Sequence, residues 1–96
     1  MSVRTKYKFR LYVAGDAPNS AQAQDNLVEL CETYLPDRYQ IDIVDVLKVP
    51  VLALKDNILM TPTLLKLSPT PVRRIVGALS HRQTVLDTLG LHVIVK

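Results

Sequence analysis

The chain predicts an α/β domain of order β-α-β-α-β-β-α built on a mixed four-stranded sheet, and three patterns carry that expectation. Apolar residues alternate through 7–13, recur at helical spacing through 23–34 and alternate again from 39, which describes a right-handed βαβ unit with two parallel strands. Two β-rich runs, 63–67 and 72–76, flank Ser68-Pro69-Thr70-Pro71 and lie close enough in sequence to pair only as an antiparallel hairpin. A last amphipathic stretch then runs into Gly90.

Tyr7, Phe9, Leu11 and Val13 alternate with Lys6, Lys8, Arg10 and Tyr12, giving the first strand one apolar and one largely basic face. After the 15–20 loop, Asn19 or Ser20 can cap a helix whose stripe is Ala23, Leu27, Leu30, Cys31 and Tyr34; Pro36 ends it. Tyr39, Ile41 and Ile43 make the second strand, and the shift of apolar parity across Asp45 ends it near Val44. Pro50 opens a short helix over 51–55, as proline at a first helical position does. Gly77 marks a bulge or a close approach at the end of the fourth strand. Ser80 and Gln83 form a capping-box pattern for the last helix, with Val85, Leu86 and Leu89 as its buried stripe and Gly90 as its left-handed stop. The tail, 92–96, is either a loose end or an added strand.

This order resembles the minimal thioredoxin-like fold, and Thr61-Pro62-Thr63 resembles the cis-Pro turn that such domains place opposite their redox site. The redox site itself is missing. Ala14-Gly15-Asp16-Ala17-Pro18-Asn19-Ser20 stands where Cys-x-x-Cys is expected, and the single cysteine, Cys31, falls on the apolar stripe of the following helix. Thiol–disulfide exchange needs an attacking and a resolving thiol, so binding is expected rather than catalysis. Asp45 and Asp56 have no nucleophile, metal or oxyanion site beside them and read as turn and capping residues. Asp16 and Asn19 also read as caps, and His81 and His92 are far from metal-ligand spacing, so no cofactor is expected.

Ninety-six residues fit one domain, 1–96. Twelve Lys and Arg against nine Asp and Glu give +3, an excess that suits an acidic partner but not a nucleic acid, which calls for denser basic clustering. No apolar leader or membrane-length run is present, and one cysteine gives no disulfide framework, so a reducing cytoplasm is the expected compartment.

The chain resembles the KaiB family of cyanobacterial circadian-clock proteins through Leu11-Tyr12-Val13-Ala14-Gly15, Pro18-Asn19-Ser20, Ile43-Val44-Asp45-Val46-Leu47-Lys48, Thr61-Pro62-Thr63-Leu64 and Pro71-Val72-Arg73-Arg74-Ile75-Val76-Gly77. The resemblance runs from Tyr7 to Leu91. It implies a non-enzymatic regulator that binds the N-terminal ATPase ring of KaiC. It also implies two folds, a tetrameric ground state with a rearranged C-terminal half and a monomeric thioredoxin-like state that binds the ring. Such a switch needs two packings only a few kcal/mol apart. Ser80, Gln83, Gly90 and the β-branched 72–76 run favour the thioredoxin-like state, and the absence of the family's longer acidic tail favours a monomer. Pro62 is the first cis candidate and Pro71 the second.

The candidate partner-binding residues follow from the same resemblance. Lys6, Lys8 and Arg10 form a basic row that either meets the partner or guards a strand against aggregation. Lys48, Arg73 and Arg74 sit on family motif positions, and an Arg pair suits bidentate carboxylate recognition. Gln22 and Asp42 depart from the basic residues common in the core oscillator, which implies a divergent paralogue. A variant ATPase, a histidine kinase or a stress-response protein is then the alternative partner.

Overall fold

A computed structural model describes residues 6–91. The elements are β1 (Tyr7–Val13), α1 (Pro18–Tyr34), β2 (Tyr39–Asp45), α2 (Pro50–Lys55), β3 (Thr63–Ser68), β4 (Arg73–Val76) and α3 (Arg82–Leu89). They form one four-stranded sheet of order β2-β1-β3-β4. β1 pairs parallel to β2 and antiparallel to β3, and β3 pairs antiparallel to β4, so the sheet is mixed as expected. The C-terminal half is the hairpin plus helix of the thioredoxin-like arrangement. His92 to Lys96, the tail left open above, lie outside the described residues.

Alternation along the strands divides the interior into two layers. Phe9, Leu11, Val13 and Leu64 face α1 and α3 and pack with Leu27, Leu30, Cys31, Leu86 and Leu89. Tyr12, Val44 and Leu65 face the other way and pack with Ala53 of α2. Each fully buried Leu or Phe of the larger layer contributes roughly 1.5–3 kcal/mol, so the α1/α3 side holds most of the stability.

Several local details differ from the sequence reading. Neither Asn19 nor Ser20 caps α1: the cap position is Ala17, without a side-chain hydrogen bond, and Pro18 starts the helix. Ser20 is buried inside the first turn, where its Oγ accepts from the Ala14 N–H at 3.2 Å. The Ser80–Gln83 capping box does not form either. Leu79 is buried at φ +62°, Asn26 Nδ2 holds the Ala78 carbonyl at 2.7 Å, and the chain therefore enters α3 later, at His81. Gln83 instead donates to Asp87 Oδ1 at 2.9 Å.

Gly90 does end α3 in the left-handed region at φ +75°, with the Leu91 N–H returning to the Leu86 carbonyl at 2.8 Å. Gly77 is not a site of close packing. A Cβ there would meet nothing within 4 Å, and the glycine serves a φ of +118°. Thr61-Pro62 and Thr70-Pro71 are both cis as expected, and Ser68-Pro69, which the sequence reading did not single out, is cis as well.

Candidate functional site

Strand register builds a row of side chains across the α2 face. Arg10 stands opposite Asp42 on β2 and opposite Leu65 on β3, and Leu65 stands opposite Arg74 on β4. Arg10 and Arg74 therefore flank Leu65, two strand spacings apart, or roughly 10 Å. The turn that ends α2 lies over this gap.

Asp56, the C-cap residue of α2, is the centre of the arrangement. Its Oδ2 accepts from the Tyr12 hydroxyl and, at 3.2 Å, from Arg10 Nη1. The Leu52 carbonyl also lies 3.2 Å from the Tyr12 hydroxyl, while Arg10 Nε donates to Asp42 at 3.2 Å. Arg74 donates to the backbone carbonyls of Asp56 and Asn57 at 2.7 and 3.0 Å. The Tyr12 hydrogen bond holds the Asp56 carboxyl below the usual carboxylate range, against the opposing effect of burial and with help from Arg10. Burial, reinforced by the same carboxylate, pushes the Tyr12 phenol upward.

These contacts change what the predicted binding residues can do. Arg10 is not a member of a solvated basic row: it is half-buried and ion-paired to both Asp42 and Asp56. Asp42, the departure from the basic pattern, supplies one of those partners. Arg73 and Arg74 do not form a fork, because successive strand residues point to opposite faces. Arg74 caps the end of α2, whereas Arg73 stands opposite Lys66 on the α1/α3 side. Lys6 and Lys8 are exposed at the start of β1, and Lys48 is exposed in the turn after β2. Asp45 is the turn residue expected, its Oδ1 accepting from the Leu47 and Gly15 N–H groups at 2.9 and 3.1 Å.

The sequence reading missed the apolar character of the α2 side. Leu47, Val49, Val51, Leu54, Leu59 and Met60 are all exposed, Leu54 by 76% and Leu59 by 93%. The signal was available in Pro50-Val51-Leu52-Ala53-Leu54-Lys55, a helix apolar at every position but Lys55 that can turn only one side to the sheet. Exposed apolar side chains gathered on one segment mark an interaction surface. Lys48 and Lys55 stand among them.

At the position of a thioredoxin redox pair, the 14–20 loop is held by Asp45 and Ser20 and contains no thiol. Cys31 is completely buried, and desolvation pushes its thiol up to about 12, far from a reactive thiolate. No group of His, Cys, Asp or Glu able to hold a metal occurs among the described residues.

Fold and site together define a thioredoxin-like domain whose α2 side is apolar and cationic and whose redox position carries a tied backbone loop. Solved structures share that fold. The N-terminal domain of Synechococcus elongatus SasA matches with TM-score 0.66 and 19% identity over 100% of this chain and 94% of that one. Mitochondrial thioredoxin 3 of Saccharomyces cerevisiae matches with TM-score 0.71 and 17% identity over 92% and 81%. The chain belongs to the KaiB family: the KaiB domain model matches residues 10–91. The circadian clock oscillator protein KaiB of Prochlorococcus marinus strain MIT 9515 is 50% identical over 91 residues, covering 95% of this chain and 84% of the relative.

Proposed function

We propose that this protein is a non-enzymatic, KaiB-like regulator in a circadian or related timing system, and that it docks on a KaiC-type ATPase ring. The observation that carries the proposal is 50% identity over 95% of the chain to a protein named for the circadian clock oscillator. The exposed apolar residues around α2, with Lys48 and Lys55 beside them, supply the kind of surface such docking uses. Lys6 and Lys8, exposed at the start of β1, add steering charge, and Arg73 adds it from the opposite face of the sheet; Arg10 and Arg74 act through the position of α2. The domain, 1–96, works as a cytoplasmic monomer in the thioredoxin-like state, with a rearranged tetramer as its alternative. A ring that binds only the thioredoxin-like state draws the population toward it.

The test is capture of a KaiC-type ring by the parent chain and by Lys48→Glu and Leu54→Glu. Both substitutions fall on exposed side chains and should leave the circular-dichroism spectrum unchanged. Leu54→Glu should abolish capture, and Lys48→Glu should slow association in a salt-dependent way. Full capture by both would place the interface elsewhere. A second reading, an adaptor for a different partner such as a histidine kinase or a stress-response protein, is favoured by the Arg10–Asp42 pair, which neutralises charge that would attract an acidic ring. Binding to such a partner with no binding to any KaiC-type ring would establish it.

A further inference from the structure

We infer that the Tyr12–Asp56–Arg10 cluster, together with Arg74, is a positioning device that fixes the end of α2 and so holds the exposed apolar side chains of that helix in one presentation. Only its consequence for docking rests on the function proposed above.

α2 has little else to hold it. Six residues are too few for a helix that is stable on its own. Ala53 is its only buried residue, Leu52 is half-buried, and Val51 and Leu54 point to solvent. Its end also carries a carboxylate, Asp56, at the negative pole of the helix dipole, where a cation is favoured instead. The sheet compensates from two strands: β1 sends Arg10 and the fully buried Tyr12 to the carboxylate, and β4 sends Arg74 to the Asp56 and Asn57 carbonyls of the turn that follows the helix. Polar side chains at three positions of the α2 face thus converge on one turn. Apolar residues there would pack the helix without fixing where its end lies, whereas directional hydrogen bonds fix it.

The turn provides its own reporters. The Asp56 N–H bonds to the Leu52 carbonyl at 3.0 Å, Asn57 N–H to Leu54 at 3.2 Å and Ile58 N–H to Ala53 at 2.8 Å. Hydrogen exchange at these three amides is to be compared in the parent, Tyr12→Phe and Asp56→Asn. Phe keeps the buried ring and Asn keeps an acceptor, so each variant removes one part of the cluster and little volume.

The expected result is exchange about tenfold faster at Asp56, Asn57 and Ile58 in both variants, equivalent to about 1.4 kcal/mol, with amides of the β1–β3 ladder unchanged. Capture of a KaiC-type ring should weaken only as far as the positioned fraction falls, and so stays near the parent level until the opened state approaches half of the population. Unchanged exchange at the three amides in both variants overturns the inference, as does an equal rise throughout the sheet. Undiminished capture by a variant whose turn is open in more than half of the population overturns the link to docking. If the parent chain captures no ring, the function proposed above falls, and the exchange comparison still decides whether the cluster holds α2.

Discussion

Among the described residues Lys66 is the one buried cation of the α1/α3 layer, and replacing it separates its charge from its stem. It lies on β3 opposite Phe9 and Arg73, is 4% exposed, and reaches the Leu89 carbonyl at the end of α3 with its Nζ at 3.4 Å. That contact is at the long limit of a hydrogen bond, and none of the ion pairs among the described residues involves it. Burial, followed by the nearby Arg73, lowers the Lys66 pKa. A lowered lysine pKa means that the surroundings as a whole disfavour the ammonium, even with the helix dipole and the hydrogen bond counted in its favour. Lys66→Met keeps the stem and removes the charge, so it should leave stability within about 1 kcal/mol of the parent, on the stabilising side. Lys66→Ala also removes three buried methylenes, at about 0.8 kcal/mol each, and should cost roughly 2–3 kcal/mol. Urea unfolding at pH 7 gives both values, with a constant slope as the check on two-state behaviour. The linkage has a definite sign. Between the lowered folded pKa and the unfolded value near 10.4, the unfolded chain holds more protons, so Lys66 makes stability rise with pH in that window. The Met variant lacks this contribution. Equal destabilisation by Met and Ala would refute the argument, because the ammonium itself would then be the stabilising group.

Three further outcomes are expected. Gly90→Ala should cost about 1–2 kcal/mol in thermal or urea unfolding, since the left-handed φ of +75° is strained for a side chain while a Cβ there meets no atom within 4 Å; a larger loss would indicate a packing role. Asp56, held low mainly by Tyr12, contributes stability that is full above the ordinary carboxylate range, near pH 4, and is lost as pH falls through its lower folded value. Asp56→Asn should therefore flatten the acid limb of a stability–pH profile, and an unchanged limb would assign acid sensitivity to other groups. Cys31, buried and pushed up to about 12, should react with a thiol reagent only on unfolding, and Cys31→Ala should retain ring capture.

The parts of the fold that were legible are those whose signal is local. β1, the βαβ crossover and the hairpin each follow from a period of 2 or 3.6 carried by adjacent residues. The capping box failed because burial of Leu79 and the Asn26–Ala78 bond decide where α3 starts, and Asn26 is 52 residues from Ala78. Arg10 was misread for a related reason. Alternation assigns it correctly to the face opposite Phe9 and Leu11, but alternation is silent on whether that face is open. Asp56, 46 residues away, closes it. The separation of Arg73 from Arg74 was available from strand periodicity, and treating them as a pair overlooked it. Lys66 shows the limit of alternation in a central strand, where both faces are covered and a lone charge gives no sign of its partner.

The two faces of the sheet differ in how much they contribute to stability. The α1/α3 side is apolar apart from Lys66, and its helices have long buried stripes. The α2 side sets Arg10, Tyr12 and Arg74 beside a small apolar layer of Val44 and Leu65, and leaves apolar side chains exposed outside it. Arg10, Tyr12 and Arg74 lie where apolar side chains would pack, while Val51, Leu54 and Leu59 lie where polar ones would be expected. A small helix fixed by directional bonds can present such residues without collapsing onto the sheet. The conflict with ordinary patterning supports the docking side proposed above, at α2 rather than at the loop where a thioredoxin carries its cysteines.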